Sequence, residues 1–129
     1  MNSLNTETAL RAYAAMMNTL DASRFEHLLA EDFHYSSQFV FAEIETKTDY
    51  LAYINPKLQS IRSSNSKIWA EMGELVPESP GPCVIVAQGH KDDLVGVVLA
   101  TVRNNLIQRI DFCFVPSPQS AIRGGEYPK

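Results

Sequence analysis

The sequence predicts an α+β fold in which N-terminal helices pack on a strongly curved antiparallel or mixed sheet, forming a cone with an internal pocket. Three observations predict it. An apolar stripe at helical spacing opens the chain, and a short strand and a capped helix follow. From about Lys67 onward the chain reads as strand-like runs separated by turn residues. Helices gathered at the start and strands at the end belong on opposite layers of one core.

Ala9, Tyr13, Met16, Met17 and Leu20 recur at helical spacing, which predicts a first helix from about Thr6 to Leu20. Asp21 and Ser23 both suit the N-cap of a second, shorter helix with Phe25, Leu28 and Leu29 buried, ending at Glu31-Asp32. Phe33, Tyr35 and Ser37 then share one face of a strand, with His34 and Ser36 on the other. Thr46-Lys47-Thr48-Asp49 fits a capping box. The helix it starts turns Leu51, Ile54, Leu58 and Ile61 inward, and Pro56 predicts a kink or restart at Asn55-Pro56 because it cannot donate to the Ala52 carbonyl.

Strands are expected over Lys67–Val76, Cys83–His90, Leu94–Val102 and Leu106–Val115. Proline-rich Pro77–Pro82 is read as a loop excluded from the sheet ladder. Asn104-Asn105 tolerates the positive φ of a hairpin turn. The tail, residues 116–129, carries Pro118 and Gly124-Gly125 and is read as loop.

At 129 residues the chain is read as a single domain over 1–129, large enough to bury a core without disulfides or metals. Net charge is −4 with scattered lysines and arginines, so nucleic acid is not expected as a partner. The sequence offers no membrane-spanning apolar run and no signal-peptide pattern, which predicts a cytoplasmic protein with no membrane partner. Cys83 and Cys113 are expected as free buried thiols on strands separated by a third. The three histidines lack ligand spacing, so no metal or other cofactor is expected.

In Val84–Ala87 and Leu94–Val102 apolar residues occupy both strand faces. A half-exposed antiparallel sheet alternates apolar with polar. A homodimer through the outer sheet face is therefore expected.

The element order, together with LDASRFEHLLAEDFHY, TKTDYLAYI and a strand meander ending IQRIDFCF, resembles the nuclear-transport-factor-2-like (NTF2-like) superfamily. That superfamily includes the SnoaL-like polyketide cyclases and the ketosteroid isomerases. The resemblance covers about Thr6 to Val115 and implies a cystatin-like cone with an apolar pocket inside and dimerisation outside. In the isomerase branch a tyrosine on the first helix donates to the developing enolate while a first-strand carboxylate shuttles the proton. Tyr13 matches the tyrosine, but the base position falls on Ser37, which takes up no proton near neutral pH. The position of the branch's second acid falls near Val98. Ketosteroid isomerase chemistry as such is therefore not expected. The cyclase branch works with a His and an Asp on the last strand, where this chain offers only Asp111, expected one position out of register.

Tyr13, Tyr35 and Ser37 are expected to face the pocket, with Gln38 at its strand end, Trp69 as floor or core, and His90 at the rim. Asp111 is the candidate general base, or else is salt-bridged to Arg103 or Arg109 across a dimer. The functional expectation is a metal-free domain that binds or transforms a small hydrophobic carbonyl or cyclic compound. The alternative is a non-catalytic dimeric interaction module of the NTF2 type.

Overall fold

The computed structural model describes residues 3–40, 42–75 and 81–129. Helix α1 spans Thr6–Thr19. Asn5 caps it by accepting from the Thr8 amide at 2.8 Å, and Leu20 ends it in the left-handed conformation. A single 3-10 turn, Phe25–Leu28, follows, and strand β1 begins at once, Leu29–Ser37. Helix α2 covers Lys47–Ser63, with the Thr46 hydroxyl accepting from the Asp49 amide at 3.1 Å. Strands β2 (Ile68–Leu75), β3 (Gly81–Gln88), β4 (Leu94–Arg103) and β5 (Leu106–Cys113) form the meander, and β6 (Ile122–Arg123) returns to it.

The sheet order is β1-β5-β4-β3-β2-β6. β1 runs parallel to β5, and the other pairs are antiparallel, so the sheet is mixed. Both helices pack on one face. Leu10, Tyr13, Met16 and Met17 of α1 and Tyr50, Ile54 and Leu58 of α2 enclose a core with Phe33, Val84, Val86, Val98, Ile107 and Ile110 of the sheet.

Several sequence expectations are corrected. The second helix is only one 3-10 turn, because Leu29 and Ala30 are already buried as strand and Leu29 sits opposite Ile107 of β5. Parallel pairing outweighs the local helical pattern there, and Glu31-Asp32 lies inside the strand. Helix α2 does not restart at Asn55-Pro56 but runs unbroken through Pro56. Ala52 and Pro56 both face solvent, so water can satisfy the carbonyl that proline leaves free. Gly81 and Pro82 open β3 opposite Leu75 and Glu74, since proline is tolerated as a strand begins. Val76 and residues 77–80, which carry the rest of that loop expectation, lie outside the described residues.

The tail also behaves differently. Pro118 is buried in a 3-10 turn against β4, Ala121 packs on the outer-face cluster Leu75, Cys83, Ile85, Val97 and Cys113, and β6 pairs with β2. Much of the apolar outer face that leads the sequence toward a dimer is thus covered by the chain itself. A Cβ on Gly73 would stand 2.8 Å from the Ile122 carbonyl oxygen, so the tail's close approach depends on glycine there. Cys83 and Cys113 are both free, on β3 and β5 with β4 between them. Burial, with the nearby Glu74 charge, pushes the Cys83 thiol up to about 11.

Candidate functional site

The space between α1, α2 and the concave sheet narrows to a cavity of about 120 Å³. Helix α1 contributes Tyr13 and Met17. Helix α2 contributes Tyr50, Ile54, Lys57 and Ile61, which form one helical stripe. The sheet closes the cavity with Tyr35 of β1, Ile68, Val86, Gln88, Val95 and Phe112. Tyr50 is the hub. Its ring stands 4.9 Å from Phe33, 5.3 Å from Tyr35, 6.3 Å from Tyr53 and 6.4 Å from Phe25. These tilted and edge-on contacts hold the ring rigidly.

The electrostatics of this cavity are set by phenols. Burial holds Tyr13, Tyr35 and Tyr50 well above the ordinary phenol range, and neighbouring tyrosines add to each shift. All three therefore stay neutral hydrogen-bond donors at any pH near neutrality. The Tyr50 hydroxyl is fully buried and has no hydrogen-bond partner among the described residues. Buried hydroxyls are nearly always paired, so this orphan donor marks a place where a ligand or water would be bonded. Lys57 stands beside the phenols, its Nζ 3.2 Å from the Tyr53 hydroxyl and 5.5 Å from the centre of that ring. Among the described residues that line the cavity there is no carboxylate or histidine.

Of the residues singled out in the sequence, the fold brings Tyr13 and Tyr35 together at this cavity. Ser37 is displaced to the end of β1, where its hydroxyl accepts from the Phe39 amide at 3.2 Å. Gln38 is structural. Its side chain accepts from the Phe114 and Val115 amides and donates to the Val115 carbonyl, tying β1 to the end of β5. Trp69 alternates with the core residue Ala70 and turns out of the cone toward Lys67, Lys91 and Tyr127. His90 lies on the exposed turn after β3, beside Asp92. None of these four lines the cavity.

Asp111 also lies elsewhere. It alternates with Ile110 and Phe112, which face inward, and its oxygens accept from Arg109 Nε of the same chain at 2.9 and 3.1 Å. Arg109 in turn bonds Glu43 at 2.8 Å. The one-residue register offset has its full geometric consequence here: the carboxylate faces the outside of the sheet. The Arg109 that it pairs with belongs to the same chain.

Sequence reasoning missed Tyr50, Lys57 and Gln88. Tyr50 sits in the first turn of α2, where the stripe was anchored on Leu51. The signal was present as Tyr50-Ile54-Lys57-Ile61, spaced four, three and four. Gln88 closes a strand and gives no periodic signal. Among the described residues no group of three His, Cys, Asp or Glu side chains could hold a metal ion, and no helix is long and apolar enough to cross a membrane.

No protein-family model matches the chain, and no curated protein matches it. Solved structures do. An NTF2-like protein of unknown function from Cytophaga hutchinsonii superposes with a TM-score of 0.58 at 14% identity, over 89% of this chain and 96% of that one. A candidate polyketide cyclase from Sinorhizobium meliloti gives 0.57 at 10% identity, over 81% and 93%. A candidate ketosteroid isomerase from Kribbella flavida gives 0.53 at 24% identity, over 83% and 77%. The order of helices, the curled mixed sheet and these superpositions agree: the chain has the NTF2-like, cystatin-like cone fold of the SnoaL-like and ketosteroid isomerase-like proteins.

Proposed function

We propose that the chain is a small-molecule binding domain of the SnoaL-like type, whose ligand is a compact cyclic carbonyl compound seated in the cone. The observation that carries this reading is the Tyr50 hydroxyl, fully buried, unpartnered and set among two other neutral phenols. A carbonyl oxygen accepts from such a donor, and an apolar ring fills the rest of the space. A cavity of about 120 Å³ is near the size of apolar cavities of about 150 Å³ that take up benzene. It accommodates one ring and not a fused polycycle. The names of the structural relatives, polyketide cyclase and ketosteroid isomerase, support the carbonyl class and no particular substrate. With Asp111 and His90 outside the cavity, the proton shuttle of the isomerase branch has no base among the described residues that line it, which favours binding over turnover.

Titration with acetophenone tests this. Saturable binding is expected, weakened about tenfold in Tyr50→Phe by loss of one hydrogen bond. Lack of saturable binding overturns the reading.

One observation favours a second reading, the dimeric interaction module. Phe39, Val40, Phe114 and Val115 are exposed side chains at the adjoining ends of β1 and β5, with Phe39 5.1 Å from Phe114 and 5.4 Å from Phe112. Contiguous apolar surface of this kind marks association sites. If it is a homodimer contact, sedimentation shows a dimer at micromolar concentration that Phe39→Ser dissociates; a monomeric wild type removes this reading.

A further inference from the structure

We propose that the ligand of the cone is a small cyclic carboxylate, its ring among the phenols and its charge paired with Lys57. This deepens the binding proposal and rests on it. Lys57 lines the cavity beside Ile54 and Ile61 while its side chain stays exposed, one position before the buried Leu58, so it stands at the solvent edge of the cavity. Its ammonium has no acidic partner in the cavity lining among the described residues; its recorded contact is the Tyr53 hydroxyl at 3.2 Å, with the Tyr53 ring beneath it. The chain as a whole carries a net charge of −4, so a cation beside a cavity without a carboxylate is a local reversal of sign.

The other polar groups there can each donate a hydrogen bond to an anion. Phenols kept neutral by burial are donors toward an anion. The unpartnered Tyr50 hydroxyl is a second, independent sign that an acceptor belongs in the cavity. Gln88 adds an amide at the wall. Donors and a cation with no carboxylate among them select a carboxylate over its neutral isostere, because the charge-assisted bond is roughly twice as strong as the neutral one. The α2 spacing places Lys57 two turns beyond Tyr50 on one face, so a ring reaching Tyr50 can leave its carboxylate at the ammonium.

Benzoate and benzamide are nearly identical in shape and differ in charge. Isothermal titration of each into the wild type, Lys57→Met and Tyr50→Phe tests the proposal. In the wild type benzoate is expected to bind about tenfold tighter than benzamide. Lys57→Met should erase that preference by weakening benzoate alone, and since Lys57 is exposed on α2 the variant is expected to fold. Tyr50→Phe should weaken both. Benzamide binding with no gain for benzoate, or a preference that survives Lys57→Met, overturns the carboxylate and leaves the cavity reading standing. Failure of both probes to bind, or binding indifferent to Tyr50→Phe, overturns both.

Discussion

Two buried polar side chains sit on opposite faces of this sheet and have opposite fates. On the outer face of β2, Glu71 is 3% exposed, and both its oxygens are used, one by Arg123 Nε at 2.8 Å and one by the Gly125 amide at 2.7 Å. On the inner face Tyr50 is equally buried, and its hydroxyl bonds nothing. The polar groups outside the cavity are spent on structure: Glu71 and Arg123 hold the tail, Asp111 and Arg109 hold Glu43, and Arg11 of α1 takes Glu126. The inner groups are held in reserve. Burial alone therefore does not locate a site; burial without a partner does.

The largest expected effect exposes the inner face. An unfolded phenol ionises near pH 10, whereas Tyr13, Tyr35 and Tyr50 resist ionisation while folded. Their folded values are raised, so the stability they contribute is complete below about pH 10 and is lost as pH rises beyond it. Each such phenol removes up to about 1.4 kcal/mol per pH unit, and three together make the alkaline limit steep. Phenolate absorbance of these three should appear only with the loss of far-ultraviolet circular dichroism. Phenolate absorbance in the folded protein amounting to all five tyrosines would show the cavity to be wet.

Single substitutions sharpen the contrast because they carry opposite signs. Glu71→Ala leaves the Gly125 amide and Arg123 without their shared acceptor. It should cost about 2–3 kcal/mol in urea denaturation, toward the low end for a buried pair because Arg123 is a third exposed. Tyr50→Phe removes an unpaired hydroxyl and should leave the empty protein as stable or about 1 kcal/mol more stable, while ligand affinity falls. If both variants lose stability alike, the Tyr50 hydroxyl is bonded in solution and the distinction between the faces fails.

What the sequence made legible follows the range of the interactions involved. Helix α1, the Thr46 cap and the Asn104-Asn105 hairpin, with φ of 55° and 63°, depend on residues within one turn of one another. Strands β2 to β5 begin and end within about two residues of their expected bounds where described, because period-two patterning is local too. The tail was illegible. Ile122-Arg123 carries no periodicity, and its partners as β6, Gly73 and Glu74, lie about fifty residues away, with Glu71 bonding the Arg123 side chain and Met72 bonding Gly124 beside it. Asn18 works the same way, bonding Ala70 through both amide and carbonyl groups and the Pro128 carbonyl at 2.8 Å. The site was half legible. Tyr13 and Tyr35 follow from helix and strand spacing, but Tyr50 becomes visible only when the buried stripe of α2 is extended back from Ile54 by one turn, and the exposed Lys57 carries no signal that it borders the cavity.

The smallest expected effect belongs to the outer rim and sets the acid side of the comparison. The Asp92 carboxyl is held below its ordinary range by hydrogen bonding to Arg123, and Glu126 by hydrogen bonding to Arg11. Their folded values are depressed, so whatever they contribute is present above the ordinary carboxylate range near pH 4 and is lost as pH falls through it. Both are solvent-exposed and screened, so the urea midpoint should decline only gently on that side and the decline should shrink in high salt. Arg11→Met should remove the Glu126 part of the acid dependence and leave the alkaline limit where it was. An alkaline limit that moved with Arg11→Met would mean that the tail clasp and the phenol cavity are one cooperative unit.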